Sequence, residues 1–423
     1  MNKELLKRII LENQEFIPGV DITARDYSVD PEGNYIIVGP RRAGKTYFLY
    51  RLIQDWSDRY GNLNQILYIN FEDERLMEMR TESLDLIIES YREMYDLKPV
   101  LYFDEIQIIP GWQKFLLKLT DLNYRIYVAG SNAELTSSEM VSVLGGRFIV
   151  INIDNLSFEE FLHFKGIELE ENFENNQQRF SIVHHFYEYM TTGGFPEALH
   201  FKNKKEYLSN LFQKVFYGDI TSRYMIRNEH GLKLMVKKIA ENIGDESAFN
   251  HIKNLIQSAG IEIGTSTVIE YFSCLEKSFL AYQLSNYYSK FAERENKRKF
   301  YFADNGFLNL FLLDPLDKLL ENLVFNELRR KKLDEFFYIR DRYKIDFYLP
   351  DQQMAIQVAY SVERPEILKP QIRSLKAKFK TLDIEKAFIL TFNEEFDIED
   401  NWYLIKVVPA WKWLLKGQGY YIS

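Results

Sequence analysis

The chain has almost no cysteine: one, Cys274, in 423 residues, so no internal disulfide can form. Glycine (20) and proline (11) are sparse, which argues against long flexible linkers. No apolar run has the length needed to cross a bilayer. The six histidines are scattered and show no metal-ligand spacing. An excess of positive charge is also missing. The formal net charge is −9, which argues against a protein that coats nucleic acid non-specifically. Residues 201–300 reverse the sign, with 16 Lys and Arg against 11 Asp and Glu, a modest excess that reads as solvated surface. The first eight residues, Met1 to Arg8, are charged and read as a helix rather than a signal peptide. The expected location is therefore cytoplasmic, with no membrane partner.

What is present is ample core-forming material. A hydrophobic content of 46% in a chain of this length supplies two to four domains, and the 32 Phe and 28 Tyr are expected mostly inside them. The most informative stretch is Gly39-Pro40-Arg41-Arg42-Ala43-Gly44-Lys45-Thr46, directly after the apolar run Tyr35 to Val38. This is the G-x-x-x-x-G-K-T phosphate-binding loop, and its expected ligands are ATP and Mg²⁺. Gly39 and Gly44 let successive backbone N–H groups converge on an anion. Lys45 supplies charge for the β- and γ-phosphates, and the Thr46 hydroxyl is a Mg²⁺ ligand. Tyr47 follows, and Phe48, Leu49, Leu52 and Ile53 recur at helical spacing, so a helix opens with its N-terminus toward the phosphates. Residues 39 to 47 form the expected nucleotide-binding set.

A second apolar run, Val100 to Phe103, ends in Asp104-Glu105. A carboxylate at the end of a buried strand is costly unless a cation meets it, so Asp104 reads as the second Mg²⁺ ligand. Glu105 then reads as the base that orients and deprotonates the attacking water. A third strand, Tyr124 to Ala129, ends in Gly130-Ser131-Asn132, and both Ser131 and Asn132 are candidates to contact the γ-phosphate or the water. Along the chain, one further strand, Ile66 to Ile69, lies between the loop and the acid strand. Strand–helix alternation over residues 31–155 implies a parallel sheet with helices on both faces, preceded by an entry segment of about 30 residues. Gly145-Gly146-Arg147 precedes a strand, Phe148 to Ile153. Arg147 can serve γ-phosphate charge in its own or a neighbouring subunit, or pair with a surface acid.

The pattern is helical from Leu156 to about Met225, interrupted by Thr192-Gly193-Gly194-Phe195-Pro196. Arg223, on an expected helix Tyr217 to Arg227, is a second arginine of the same kind. Residues 233–304 read as three short helices, the third capped by Thr265-Ser266, and a two-stranded hairpin with a charged tip. That is a winged helix-turn-helix pattern, in which Arg294, Lys297, Arg298 and Lys299 are the candidates to touch phosphates if duplex DNA is bound. Its third helix offers Glu270, Glu276 and Lys277, a poor set for reading bases, so a protein-contact or purely structural winged helix is favoured over DNA contact. Residues 305–423 read as a small α/β unit with the layout of a metal-dependent nuclease: Glu321 or Glu327 on a helix and Asp346 on a strand. The acid-x-Lys position holds Gln357-Val358-Ala359, and Lys344 is a poorly supported substitute, so the unit is expected to lack nuclease activity.

Together these stretches resemble one family. Gly-Pro-Arg-Arg-x-Gly-Lys-Thr, Tyr102-Phe103-Asp104-Glu105-Ile106-Gln107, Gly130-Ser131-Asn132 with Leu144-Gly145-Gly146-Arg147-Phe148, Leu156 to Leu162 and Gly193 to Glu197 look like prokaryotic AAA-family ATPases of the AAA_14 type. Glu321 to Leu328 and Lys344 to Phe347 look like their C-terminal DUF4143 region, a winged helix followed by a restriction-endonuclease-like unit. The resemblance implies ATP binding and hydrolysis and strengthens a functional reading of Arg147, which would require a homo-oligomer. The expected fold is an α/β P-loop NTPase core (31–155), a helical lid (156–232), the winged helix (233–304) and the nuclease-like unit (305–423). The expected function is an ATP-hydrolysing switch; an ATP-gated nuclease and a non-hydrolysing scaffold are the alternatives.

Overall fold

A computed structural model of the chain describes residues 2–136, 143–289, 297–331, 335–400 and 403–416. They divide into two units, Met1–Asp154 and Asn155–Ser423. The first opens with helix α1 (Lys3–Phe16). There follow β1 (Tyr35–Val38), α2 (Lys45–Tyr60), β2 (Ile66–Asn70), α3 (Asp85–Met94), β3 (Val100–Asp104), α4 (Trp112–Asp121), β4 (Arg125–Gly130) and β5 (Ile149–Asn152). The five strands form one parallel sheet in the order β2-β3-β4-β1-β5. β1 to β4 read as near-continuous apolar runs because helices cover both faces of a parallel sheet. Along the chain β2 lies between the loop and the acid strand, yet in the sheet β2 stands at the edge and β4 separates β1 from β3.

Register brings Tyr35, Tyr127, Tyr102 and Tyr68 into one row across four strands. The Tyr35 and Tyr127 rings stack at 5.7 Å and those of Tyr127 and Tyr102 at 4.9 Å. α2 covers this row with Phe48, Leu49, Leu52 and Ile53. The packing holds α2 at the carboxyl edge of β1, where the phosphate-binding loop ends. Because all strands are parallel, the residues after Val38, Asp104 and Gly130 emerge at that same edge.

The second unit contains α5 (Phe158–Phe164), α6 (Gln178–Thr192) and α7 (Lys204–Lys214), then α8 (Glu229–Glu241), α9 (Phe249–Ser258) and α10 (Thr265–Lys277). An antiparallel pair follows, β6 (Ala281–Ser285) and β7 (Arg298–Phe302), then α11 (Asn305–Leu308) and α12 (Leu316–Arg330). A six-stranded mixed sheet closes the unit in the order β12-β13-β11-β10-β9-β8. Its strands are β8 (Phe337–Arg340), β9 (Lys344–Leu349), β10 (Met354–Val358), β11 (Lys386–Thr391), β12 (Phe396–Asp400) and β13 (Tyr403–Pro409), with α13 (Pro365–Phe379) and α14 (Ala410–Lys416). One apolar core runs from Leu156 to Leu414, so the helices after 156 and the terminal sheet share an interior. α12 lies in the middle of it, with every residue from Leu319 to Leu328 buried.

Three local expectations are corrected. The cap of α10 is Gly264, not Thr265-Ser266; Thr265 already has helical geometry and its hydroxyl pairs with Asn250. The helix expected over Tyr217 to Arg227 is a π-helical continuation of α7, Val215–Ser222, and Met225 has a left-handed backbone (φ 51°). Phe216 and Ile220 of that stretch are buried in the core. Strands β12 and β13 add to the terminal unit beyond the expected pattern; β12 is exposed and charged, while β13 buries Ile405, Val407 and Val408. The Gly193-Gly194 turn has a structural role. Gly194 N and Asn155 Nδ2 donate to Asp304 Oδ2 at 2.9 and 2.8 Å, and a Cβ on Gly193 would lie 1.8 Å from Asp304 Oδ1.

Candidate functional site

At the carboxyl edge of the first sheet the loop folds tightly. A Cβ on Gly39 would lie 1.9 Å from the Ile153 carbonyl oxygen, so no other residue fits without moving the backbone. Gly44 precedes α2 in a left-handed conformation (φ 100°) that an L side chain rarely adopts. The Lys45 ammonium is buried and donates to the Gly39 and Pro40 carbonyls at 3.1 and 2.8 Å. Arg41 forms a two-pronged ion pair with Glu72, the shorter contact 2.6 Å, while Arg42 and Tyr47 are exposed. Ala43 packs in the core beneath the loop.

The acid strand reaches the same point. Thr46 Oγ1 donates to Asp104 Oδ2 at 2.6 Å, and Tyr68 donates to the same oxygen at 3.2 Å. Asp104 is 1% exposed. Its other oxygen, Oδ1, is buried and has no hydrogen-bond partner among the described residues. Burial, and then the neighbouring Glu105 carboxylate, push the Asp104 carboxyl up to about 7; the Thr46 hydrogen bond and Lys45 act against them. An orphaned carboxylate oxygen beside a threonine hydroxyl is the donor set of a hard divalent cation, and it fits Mg²⁺. A cation there satisfies Oδ1 and offsets the desolvation that raises the carboxyl.

Glu105 has a left-handed backbone (φ 57°), a strained conformation for a long side chain, held by its N–H donating to Ala129 O at 2.7 Å. Its Oε2 accepts from Ser131 N at 3.2 Å, from Ser131 Oγ at 3.0 Å and from Gln107 Nε2. Of the two polar candidates after β4, Ser131 therefore touches the acid. Asn132 turns into its own loop, accepting from Glu134 N at 2.9 Å and donating to the Glu134 carboxylate. Gln107 joins the site without a sequence signal of its own beyond its place two residues after the acid. Gly130 makes room for it, since a Cβ there would lie 2.4 Å from Gln107 Oε1. Arg25 is a further member that sequence reasoning misses. It donates to Ala43 O at 2.9 Å and lies over the Tyr27 ring, in a stretch with no periodicity to mark it.

Arg147 sits elsewhere. β5 runs parallel to β1 with Ile149 opposite Tyr35, so Arg147 precedes the strand at the amino edge, opposite the loop. It pairs with Asp121 at 2.9 Å, away from the edge that holds Thr46, Asp104 and Glu105. In the second unit Arg223 pairs with Asp219 at 3.3 Å.

The nuclease-like residues converge only in part. Glu321 and Asp346 face one another, and Glu327 instead pairs with Arg330 at 2.6 Å. Gln357 serves the backbone: Nε2 donates to Lys344 O at 2.6 Å and Oε1 accepts from Asp346 N at 3.3 Å. Ala359 is buried in a separate apolar cluster. Lys299, expected at a phosphate, is 1% exposed, which corrects that expectation. Arg294 lies outside the described residues.

The Asp104 geometry makes a pH prediction. A carboxyl with a folded-state value raised above its unfolded one leaves the folded chain less stable as pH climbs through the interval between them. Ligand-free protein is thus expected to lose stability between about pH 4 and 7 through this residue, and Asp104→Asn to flatten that decline. Mg²⁺ must displace the proton, so Mg²⁺-dependent nucleotide affinity is expected to rise with pH and level off above about 7. Calorimetric titrations across that range check it; a flat profile would show that Asp104 is already ionised.

Residues 32–162 match the family described as an AAA domain. Residues 183–317 match a domain of unknown function (DUF8612), where a DUF4143 region was expected. Over 432 aligned positions the chain is 31% identical to the uncharacterized protein MJ1544 of Methanocaldococcus jannaschii, with 98% of this chain and 96% of that one covered. It is 28% identical over 393 positions to an uncharacterized protein of Haemophilus influenzae, covering 90% and 94%. Among solved structures it is similar to the Walker-type ATPase PABY2304 of Pyrococcus abyssi, with a TM-score of 0.43 and 14% identity over 73% of this chain and 95% of that one.

Proposed function

This chain belongs to the family of the Methanocaldococcus jannaschii protein MJ1544, and from that premise and its AAA domain we propose that it is a Mg²⁺-dependent ATPase acting as a nucleotide-driven switch. The observation that carries the reading is the convergence of Thr46, Asp104 with its orphaned Oδ1, Glu105 and Ser131 at one sheet edge beside the phosphate-binding loop. Mg-ATP, when bound, supplies the phosphoanhydride bond and the cation that draws charge from it. Gly39 to Thr46 wrap the phosphates with backbone N–H groups, and Lys45 exchanges the loop carbonyls for them. Glu105 takes the proton of the attacking water at its carboxylate, and Ser131 positions that carboxylate. A buried, hydrogen-bonded base favours turnover over the non-hydrolysing scaffold.

Arg147 is proposed to act on the nucleotide of a neighbouring copy, since it lies at the far edge from its own. In the second unit, α8 to α10 followed by β6–β7 support a winged-helix reading, and β8 to β11 with α12 a nuclease-like one. We favour a protein partner over duplex DNA for this region, because α10 is acidic and Lys299 is buried.

Steady-state Mg-ATP hydrolysis tests the proposal. Lys45→Ala is expected to weaken nucleotide binding by about 2 kcal/mol or more, roughly 30-fold, and to end hydrolysis. Binding unaffected by that change and by Mg²⁺ removal would sink the reading. In the same assay, activity per subunit that stays flat with protein concentration counts against Arg147 acting in trans, and stimulation by duplex DNA counts against the protein-partner preference.

A further inference from the structure

Three lysines are buried among the described residues: Lys45, Lys299 and Lys378. Lys45 belongs to the phosphate-binding loop, and Lys378 meets Asp341 at its surface. Lys299 belongs to neither kind. It extends from β7 into the interior, and its ammonium lies 2.8 Å from Glu321 Oε1 on α12 and 3.0 Å from Asp346 Oδ1 on β9. Two carboxylates from different elements closing on one cation is the arrangement by which proteins hold Mg²⁺ or Mn²⁺.

We propose that the Lys299 ammonium is a built-in substitute for a divalent cation: it occupies the position between Glu321 and Asp346, keeps metal ions out, and fastens the β6–β7 hairpin to α12 and the terminal sheet. The charges close without a metal. Glu321 and Asp346 bring two negative charges, and Lys299 with Lys344, 3.2 Å from Asp346, brings two positive ones. A divalent ion entering beside Lys299 would leave the buried group with an excess of two. Three of the four carboxylate oxygens are also committed. Asp346 Oδ1 meets both lysines, Asp346 Oδ2 accepts from Val358 N at 3.0 Å, and Glu321 Oε1 accepts from Tyr301 OH at 2.8 Å. The 2.8 and 3.0 Å spacings are those of N–H···O contacts. Asp346 stays ionised: burial pushes its carboxyl up, but Lys299, Lys344 and the Val358 N–H hold it at about 2. The position of Lys299 also accounts for the hairpin, whose inner face is tied down by Lys299 and Tyr301.

The test is Mn²⁺ binding to the full chain, by calorimetry and by the shift of the melting midpoint, in a background where Thr46→Ala and Asp104→Asn remove the phosphate-loop metal position. The background is expected to bind no Mn²⁺. Adding Lys299→Ala is expected to create one Mn²⁺ site and a Mn²⁺-dependent rise in the midpoint, and adding Asp346→Asn as well to abolish both. Mn²⁺ binding by the background that Asp346→Asn removes would overturn the proposal, as would a folded Lys299→Ala chain that takes no Mn²⁺. If the variant does not fold alone, refolding with Mn²⁺ gives the reading: recovery supports the substitution, and no recovery overturns it.

Discussion

Glu105→Gln is expected to bind Mg-ATP as tightly as the wild type and to hydrolyse it about 10²–10⁴-fold more slowly, the usual worth of a positioned general base. The amide keeps the size of the side chain and can still accept from Ser131 Oγ, so the fold of the loop should persist. What it loses is a carboxylate able to take a proton. The split between binding and turnover is the diagnostic part. A loss of binding equal to the loss of rate would mean that Glu105 supports the site's architecture, through its strained backbone, and not its chemistry. Single-turnover hydrolysis beside equilibrium nucleotide binding separates the two outcomes. Ser131→Ala should fall between the wild type and Glu105→Gln, because it frees the carboxylate without removing it.

Lys299→Ala is expected to destabilise the second unit by about 3–5 kcal/mol, read by urea denaturation followed through the buried Trp411 and Trp413. Removing the ammonium leaves Glu321 and Asp346 facing each other out of reach of water, and two like charges there cost far more than the packing of the missing lysine stem. The contrast lies in replacing the buried groups together: Lys299→Met with Glu321→Gln and Asp346→Asn should recover most of the stability, since no buried carboxylate is left and Lys344, 37% exposed, can turn to water. If the single and triple variants are equally unstable, packing of the stem explains the effect and the charges do not. Acid should narrow the difference, because protonating either carboxyl relieves the repulsion in Lys299→Ala.

Legibility varies along the chain. The phosphate-binding loop, the acid strand and Gly130-Ser131 carry short, local requirements: backbone N–H groups on an anion, a hydroxyl and a carboxylate on a cation, a base one residue on. β1 to β4 and α2 are readable because a covered parallel sheet needs unbroken apolar runs and the helix above it a 3.6-residue stripe. β12 is not, because an exposed edge strand needs no apolar pattern. Arg147 shows the limit of a motif: the Gly-Arg pair is visible, but which edge of the sheet it occupies follows from the parallel pairing of β5 with β1.

Sequence by itself marked Thr46, Asp104, Glu105 and Ser131 as one candidate site, because their contacts lie within a few positions of a strand end and depend on residue type. Tertiary structure alone decided which of Ser131 and Asn132 reaches Glu105, and that Gln107 and Arg25 join the site. It also decided the fate of Lys299. A lysine at a hairpin tip reads as a surface charge, and only the approach of Glu321 and Asp346, 22 and 47 residues away along the chain, turns it into a buried cation. No local pattern records such a meeting, because the stabilising partner of a buried charge comes from packing.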